Sequence, residues 1–201
     1  ISFGGQELGH ALTDILFGEI NPSGRVPTTW PARLEDSPAF PHYPGGDGRV
    51  EYGEGRLMGY RGYERRGVEP RIPFGHGLSY TEFAYDKLRA PESARAGEAV
   101  EVSIRVANTG SRAGQEVVQV YVREPGADAD RPDKELRAFA KIDLDVGQAE
   151  SIRFVLPARA FEHWDEIAGA WKAEPGPREI VVGASSSDLR ARAPLEIRDP
   201  A

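Results

Sequence analysis

Pro73–Phe83 reads PFGHGLSYTEF, and the chain changes character across it. Before it lie one helical pattern, a turn and a Gly- and Pro-rich stretch; after it the apolar residues recur with a period of two. The stretch therefore reads as a domain junction. Downstream, Val100, Val102, Ile104 and Val106 share one strand face, with Glu101, Ser103 and Arg105 on the other. Asn108, Thr109 and Gly110 close that strand.

Val117–Val122 repeats the pattern with Val118, Val120 and Val122 on one face, and Leu136–Leu144 is a weaker strand expected nearer an edge. Ile152, Phe154 and Leu156 alternate until Pro157, and Ile180–Val182 and Leu195–Ile197 complete about seven short strands. Short strands at this spacing, separated by turn signals, predict a mainly β chain built on an immunoglobulin-like or fibronectin type III-like β-sandwich. The Cys-Trp-Cys spacing of an antibody-type domain is absent.

Upstream, Leu8, Ala11, Leu12, Ile15 and Leu16 fall at i, i+3, i+4, i+7 and i+8, which predicts a helix over 6–17 with one apolar face. Gly18 is placed to stop it, and Asn21-Pro22-Ser23-Gly24 supplies a turn before an extended Val26–Trp30. One helix and one short strand cannot bury that face by themselves. Residues 1–45 therefore read as the C-terminal tail of an incomplete α/β sandwich domain, 46–80 as a connector and 81–201 as the β-sandwich. Tyr52, Leu57, Met58, Tyr60, Tyr63, Phe74 and Tyr80 predict a connector wrapped against a neighbour instead of a free linker. The chain starts at Ile1, not Met, and reads as a piece of a longer polypeptide.

The formal charge of −7 argues against nucleic acid as a partner, since phosphate neutralisation needs clustered Lys and Arg. No apolar run approaches the roughly 20 residues of a membrane-spanning helix. Without cysteine there is no thiolate site or disulfide framework. His10, His42, His76 and His163 are scattered through different elements and form no zinc-helix pair. No GxSxG elbow is present, and Gly53–Gly59, GEGRLMG, lacks the spacing of a phosphate-binding loop. Asp128, Asp130 and Asp133 lack the glycine and closing glutamate of a calcium loop and read as solvated. No metal or cofactor is implied.

Two patterns have a direct bearing on sugar chemistry. Glu51 and Glu54 are a carboxylate pair beside tyrosines, suited to acid and base roles in glycoside hydrolysis or to ion pairs with Arg49, Arg56 and Arg61; the second reading is the better. Trp30, Trp164 and Trp171 could stack on sugar rings, although Trp164 and Trp171 lie beside strands, where core or edge packing is the commoner use of such residues.

Gly4–Pro31, GGQELGHALTDILFGEINPSGRVPTTWP, resembles the end of the second, α/β sandwich domain of glycoside hydrolase family 3, the β-glucosidase family. Tyr52–Phe83, YGEGRLMGYRGYERRGVEPRIPFGHGLSYTEF, is similar to that family's connector. EVVQVYVREP at Glu116–Pro125, DKELRAFAKIDLDVGQAESIRFVL at Asp133–Leu156 and WKAEPGPREIVVGASS from Trp171 resemble its C-terminal fibronectin type III-like domain. Two departures stand out: GGQE where PGQE is usual, and Gly62 where an aromatic is frequent. The resemblance implies a retaining exo-acting β-glycosidase that removes terminal β-linked sugars. An Asp nucleophile on an N-terminal (β/α)8 barrel and a Glu acid/base upstream in the sandwich would stand about 5–5.5 Å apart. Neither motif occurs here, so no catalytic residue is assigned and the substrate-binding residues are unknown. The implied partners are the barrel and sandwich of the same enzyme, met through Leu8, Leu12, Ile15 and Leu16 among others, a carbohydrate substrate, and a second copy in a homodimer. The β-sandwich itself would be a structural brace or, alternatively, a carbohydrate-binding module using Trp164 or Trp171.

Overall fold

The computed structural model describes residues 4–128 and 130–200. Helices α1 (Leu8–Leu16) and α2 (Tyr60–Arg65) precede the strands. These are β1 (Phe83–Arg89), β2 (Ser93–Arg95), β3 (Val100–Asn108), β4 (Gly114–Arg123), β5 (Lys134–Leu144), β6 (Ala149–Leu156), β7 (His163–Asp165), β8 (Ala170–Lys172), β9 (Gly176–Gly183) and β10 (Leu189–Arg198). One sheet has the order β1-β3-β6 and the other β2-β10-β9-β4-β5, while β7 and β8 pair as a separate hairpin. Apart from the parallel β2–β10 contact, the strands pair antiparallel.

The alternation on β3 points Val100, Val102, Ile104 and Val106, each at most 1% exposed, into the space between the sheets. There they join Val118, Val120, Leu144, Phe154, Leu156 and Ile180 in one core. The result is the expected sandwich, with β5 at a sheet edge as its weaker pattern suggested.

Strand β4 is buried at five consecutive positions, Val118 to Val122, because the connector covers the outer face of its sheet. Tyr60 of α2 and Phe74 of the junction stack at 5.1 Å between centroids, and Tyr60 meets Tyr121 edge-on at 6.1 Å. With Val181, Leu136 and Leu189 they make a second, smaller cluster. A sheet covered on both faces loses the polar half of its alternation.

Helix α1 matches the expected segment and stops at Gly18, whose φ of 81° favours glycine and whose N–H donates to Ile15 O at 3.0 Å. None of its residues is buried, and Leu16 and Phe17 are 67% and 81% exposed. The connector is wrapped only in part: Tyr60 and Tyr63 are buried, whereas Tyr52, Met58 and Tyr80 remain exposed.

Strands β1 and β2 were not legible in the sequence. Phe83 and Tyr85 alternate, but Lys87 takes a positive φ of 53° and the register to β3 shifts between Asp86 and Arg89. That irregularity moves Leu88, not Lys87, to the core side and breaks the period.

Candidate functional site

Polar side chains tie the first 80 residues to the sandwich at a joint centred on the Pro73–Phe83 stretch. The Asn21 amide donates to Ala113 O at 2.9 Å, and its carbonyl oxygen accepts from Ser79 Oγ at 3.1 Å and Tyr80 N at 2.7 Å. Gln119, on the connector-covered face of β4, donates from Nε2 to Gly75 O at 3.1 Å and Ala184 O at 2.7 Å, and accepts from the Tyr121 hydroxyl. Thr81 donates to the buried Asn108 carbonyl oxygen at 2.7 Å. The Gln119, Tyr121 and Thr81 bonds satisfy groups that the joint removes from water, so losing a partner there costs more than making the bond gains.

Ion pairs reinforce the joint. Arg25 pairs with Glu116 on β4, and Glu64 of α2 pairs with Lys134 on β5. Burial pushes the Glu64 carboxyl up, and Lys134 opposes that shift by favouring the charged form. Burial likewise raises the Tyr121 phenol beneath the connector.

The carboxylates singled out from the sequence sit in different surroundings. Glu51 is exposed and lies 3.8 Å from Arg49, while Glu54 keeps one buried carboxylate oxygen without a partner. Arg61 turns instead to Glu135, at 3.0 Å. Asp133 pairs with Arg123 at 3.1 Å, and Ala129 of that acidic loop lies outside the described residues. His10 hydrogen-bonds Glu7 on the exposed side of α1, and the backbone of His76 accepts from Val26 N–H at the joint. Among the described residues no three His, Cys, Asp or Glu side chains are grouped to hold a metal ion.

Trp30 stands apart, bridged to Ile72 in the connector. Trp164 and Trp171 face one another across the β7–β8 hairpin, 5.5 Å between centroids and inclined at 63°, with the Arg159 guanidinium over the Trp171 ring. Inclined rings do not make the coplanar platform on which successive sugars stack. Beside them is a charged network that the sequence did not announce. Glu124 accepts from Arg131 at 2.5 Å and lies 3.1 Å from Arg178, while Arg131 also reaches Glu174 at 3.3 Å. Burial of Arg178 makes its charge harder to hold, an effect that Glu124 offsets. Nothing local links positions 124, 131 and 178, so only the strand pairing reveals the cluster.

Residues 1–80 match the Glycosyl hydrolase family 3 C-terminal domain, and residues 116–186 match the Fibronectin type III-like domain. The chain belongs to glycoside hydrolase family 3. Thermostable β-glucosidase B of Acetivibrio thermocellus is 43% identical to this family 3 chain over 187 residues, which is 92% of the chain and 25% of the relative. The crystal structure of the Bifidobacterium adolescentis GH3 β-glucosidase superposes with a TM-score of 0.90 at 38% identity, covering 96% of this chain and 28% of that one. β-Glucosidase 3B from Thermotoga neapolitana, solved with α-D-glucose, gives a TM-score of 0.87 at 40% identity, covering 96% and 27%. The family 3 chain thus spans about a quarter of the length of the curated relatives that it matches.

Proposed function

We propose that this family 3 chain is the C-terminal scaffold of a retaining, exo-acting β-glucosidase-like enzyme whose catalytic carboxylates lie outside residues 1–201. The observation that carries the reading is the extent of the match: nearly all of this chain aligns with only a quarter of a β-glucosidase. The exposed apolar residues of α1 agree with it, because a contiguous apolar face on a stable helix needs a cover. We assign 1–45 to the tail of an α/β sandwich domain, 46–80 to the connector and 81–201 to the fibronectin type III-like domain. The family match that ends at residue 80 supports the last boundary.

In this role the joint holds the helix and connector at a fixed angle on a rigid sandwich, so the remainder of the enzyme docks on a preformed surface. The substrate is a terminal β-linked sugar, bound by groups outside this chain. The same brace can serve a homodimer, which sedimentation velocity of the complete enzyme tests. Structural bracing is favoured over polysaccharide binding because the Trp164 and Trp171 rings are inclined and one of them is covered by Arg159.

The test is an assay of this chain on a chromogenic β-glucoside, alone and within the complete enzyme. The expected result is no hydrolysis by the chain and hydrolysis by the enzyme. Turnover by the chain itself would overturn the placement of the catalytic carboxylates.

A further inference from the structure

Between α2, the adjoining ends of β4 and β5, and the β7–β8 hairpin lies a cavity of about 310 Å³, at the lower end of the range for small-ligand sites. Arg56, Arg61, Arg131, Arg137 and Arg178 line it, against only Glu124, Glu135 and Glu162. That is an excess of two positive charges in a chain whose formal charge is −7. The excess is local and is held by arginines from three separated segments, 56–61, 131–137 and position 178.

Not all of this donor capacity is used. Arg131 and Arg178 are largely occupied, Arg131 by Glu124 and Glu174 and Arg178 by Glu124 and the Pro177 and Glu174 carbonyls, but Arg61 and Arg137 share the single carboxylate of Glu135. The Nε–H of Arg137 is buried without an acceptor, and Arg56 has no ion-pair partner among the described residues. Guanidinium forks with spare N–H groups match a planar carboxylate, which can accept two parallel hydrogen bonds. Trp164 and Trp171 also line the cavity, giving apolar ring surface beside the charges. Indole beside arginine suits a ligand with a C–H face at one end and a carboxylate at the other.

The geometry points to a binding site in this cavity for a single acidic sugar, a hexuronate, whose carboxylate meets Arg56 and Arg137 while its pyranose ring lies against Trp164, the hairpin tryptophan that the Arg159 guanidinium leaves uncovered. The site is independent of the catalytic reading above, since it needs no group outside this chain. It also differs from a platform for neutral glucan, which inclined rings do not form.

Titration of the whole chain with glucuronate, glucose and inorganic phosphate, followed by tryptophan fluorescence and by calorimetry, tests it. Glucuronate is expected to give a saturable signal, with Arg56→Ala weakening it at least tenfold and Trp30→Phe, remote from the cavity, leaving its affinity unchanged. Arg56 is exposed and without an ion pair among the described residues, so its variant keeps the fold, which circular dichroism checks. Glucose binding as tightly as glucuronate would overturn the role of the arginines, and phosphate doing so would overturn the role of the sugar ring. Absence of saturation, or an Arg56→Ala variant that binds like the parent, would overturn the site altogether.

Discussion

Arg25, in the segment before the connector, forms an ion pair with Glu116 of β4, and only 11% and 6% of the two side chains remain exposed. The pair therefore spans the joint in a largely dry setting. Arg25 also donates to Gly24 O at 3.2 Å, and the Glu116 carboxylate accepts from Val117 N–H at 2.6 Å. Removing one partner leaves the other charge buried and uncompensated, which costs about 3–5 kcal/mol where such pairs have been broken. Arg25→Met is expected to lose about that much in urea unfolding. The double variant Arg25→Met with Glu116→Leu should be less destabilised than either single variant, since no lone charge is left. A double variant whose loss equals the sum of the singles would show that the two groups act independently.

Gly62 sits inside α2, where alanine is ordinarily favoured by about 1 kcal/mol. Here a Cβ would lie 2.0 Å from Leu57 O and 2.8 Å from Pro38 Cγ. The backbone contact dominates, because the carbonyl cannot swing away as a side-chain tip would. Gly62→Ala is expected to destabilise by about 1–3 kcal/mol, the usual range for overpacking. A raised unfolding midpoint would show that the Leu57 turn and Pro38 yield to a Cβ at this position.

The strands legible in the sequence include β3, with one fully buried face, and also β4 and β9, whose apolar runs are buried at consecutive positions. Strand β3 keeps a strict alternation because its other face meets solvent, and the apolar spacing of α1 was equally plain although none of its residues is buried. Strand β1 was hidden by the bulge at Lys87, and the hairpin β7–β8 by its length of three residues per strand. The tryptophans of the cavity were visible as residue types, but not their inclination. The arginines of the cavity were invisible as a group, because Arg131 and Arg178 converge through sheet pairing and Arg56 reaches them only as the connector packs on the sandwich.

Asp36 gives a pH dependence with a definite sign. Its carboxylate accepts from Arg33 N at 3.1 Å and Arg33 Nη2 at 2.8 Å, and the Arg33 hydrogen bonds hold its carboxyl below the usual value. A depressed folded-state value means that the unfolded chain binds more protons in that interval, so stability rises with pH there. The contribution is complete above the ordinary Asp range and is lost as pH falls through the folded value. Asp36→Asn should therefore be less stable than the parent at neutral pH, with the difference shrinking below about pH 4. A difference independent of pH would assign the effect to the turn geometry instead of the charge.

Leu16 and Phe17 distinguish the chain by itself from the enzyme proposed around it. Both are largely exposed, and α1 is held by backbone-directed contacts from elsewhere: the Tyr80 hydroxyl donates to Ile15 O at 2.7 Å, and Arg112 donates to Glu19 O at 3.0 Å. Replacing either apolar side chain by lysine touches none of these bonds. In the chain, Leu16→Lys and Phe17→Lys should shift unfolding by no more than about 0.5 kcal/mol, as ordinary surface changes do, while reducing dye binding to exposed apolar surface. In the complete enzyme the same side chains would be covered, and each lysine should cost about 1.5–3 kcal/mol through lost burial alone. Unfolding of both forms, followed by tryptophan fluorescence, measures the contrast. Equal, small effects in the two would mean that the apolar face of α1 is not where the remainder of the enzyme docks.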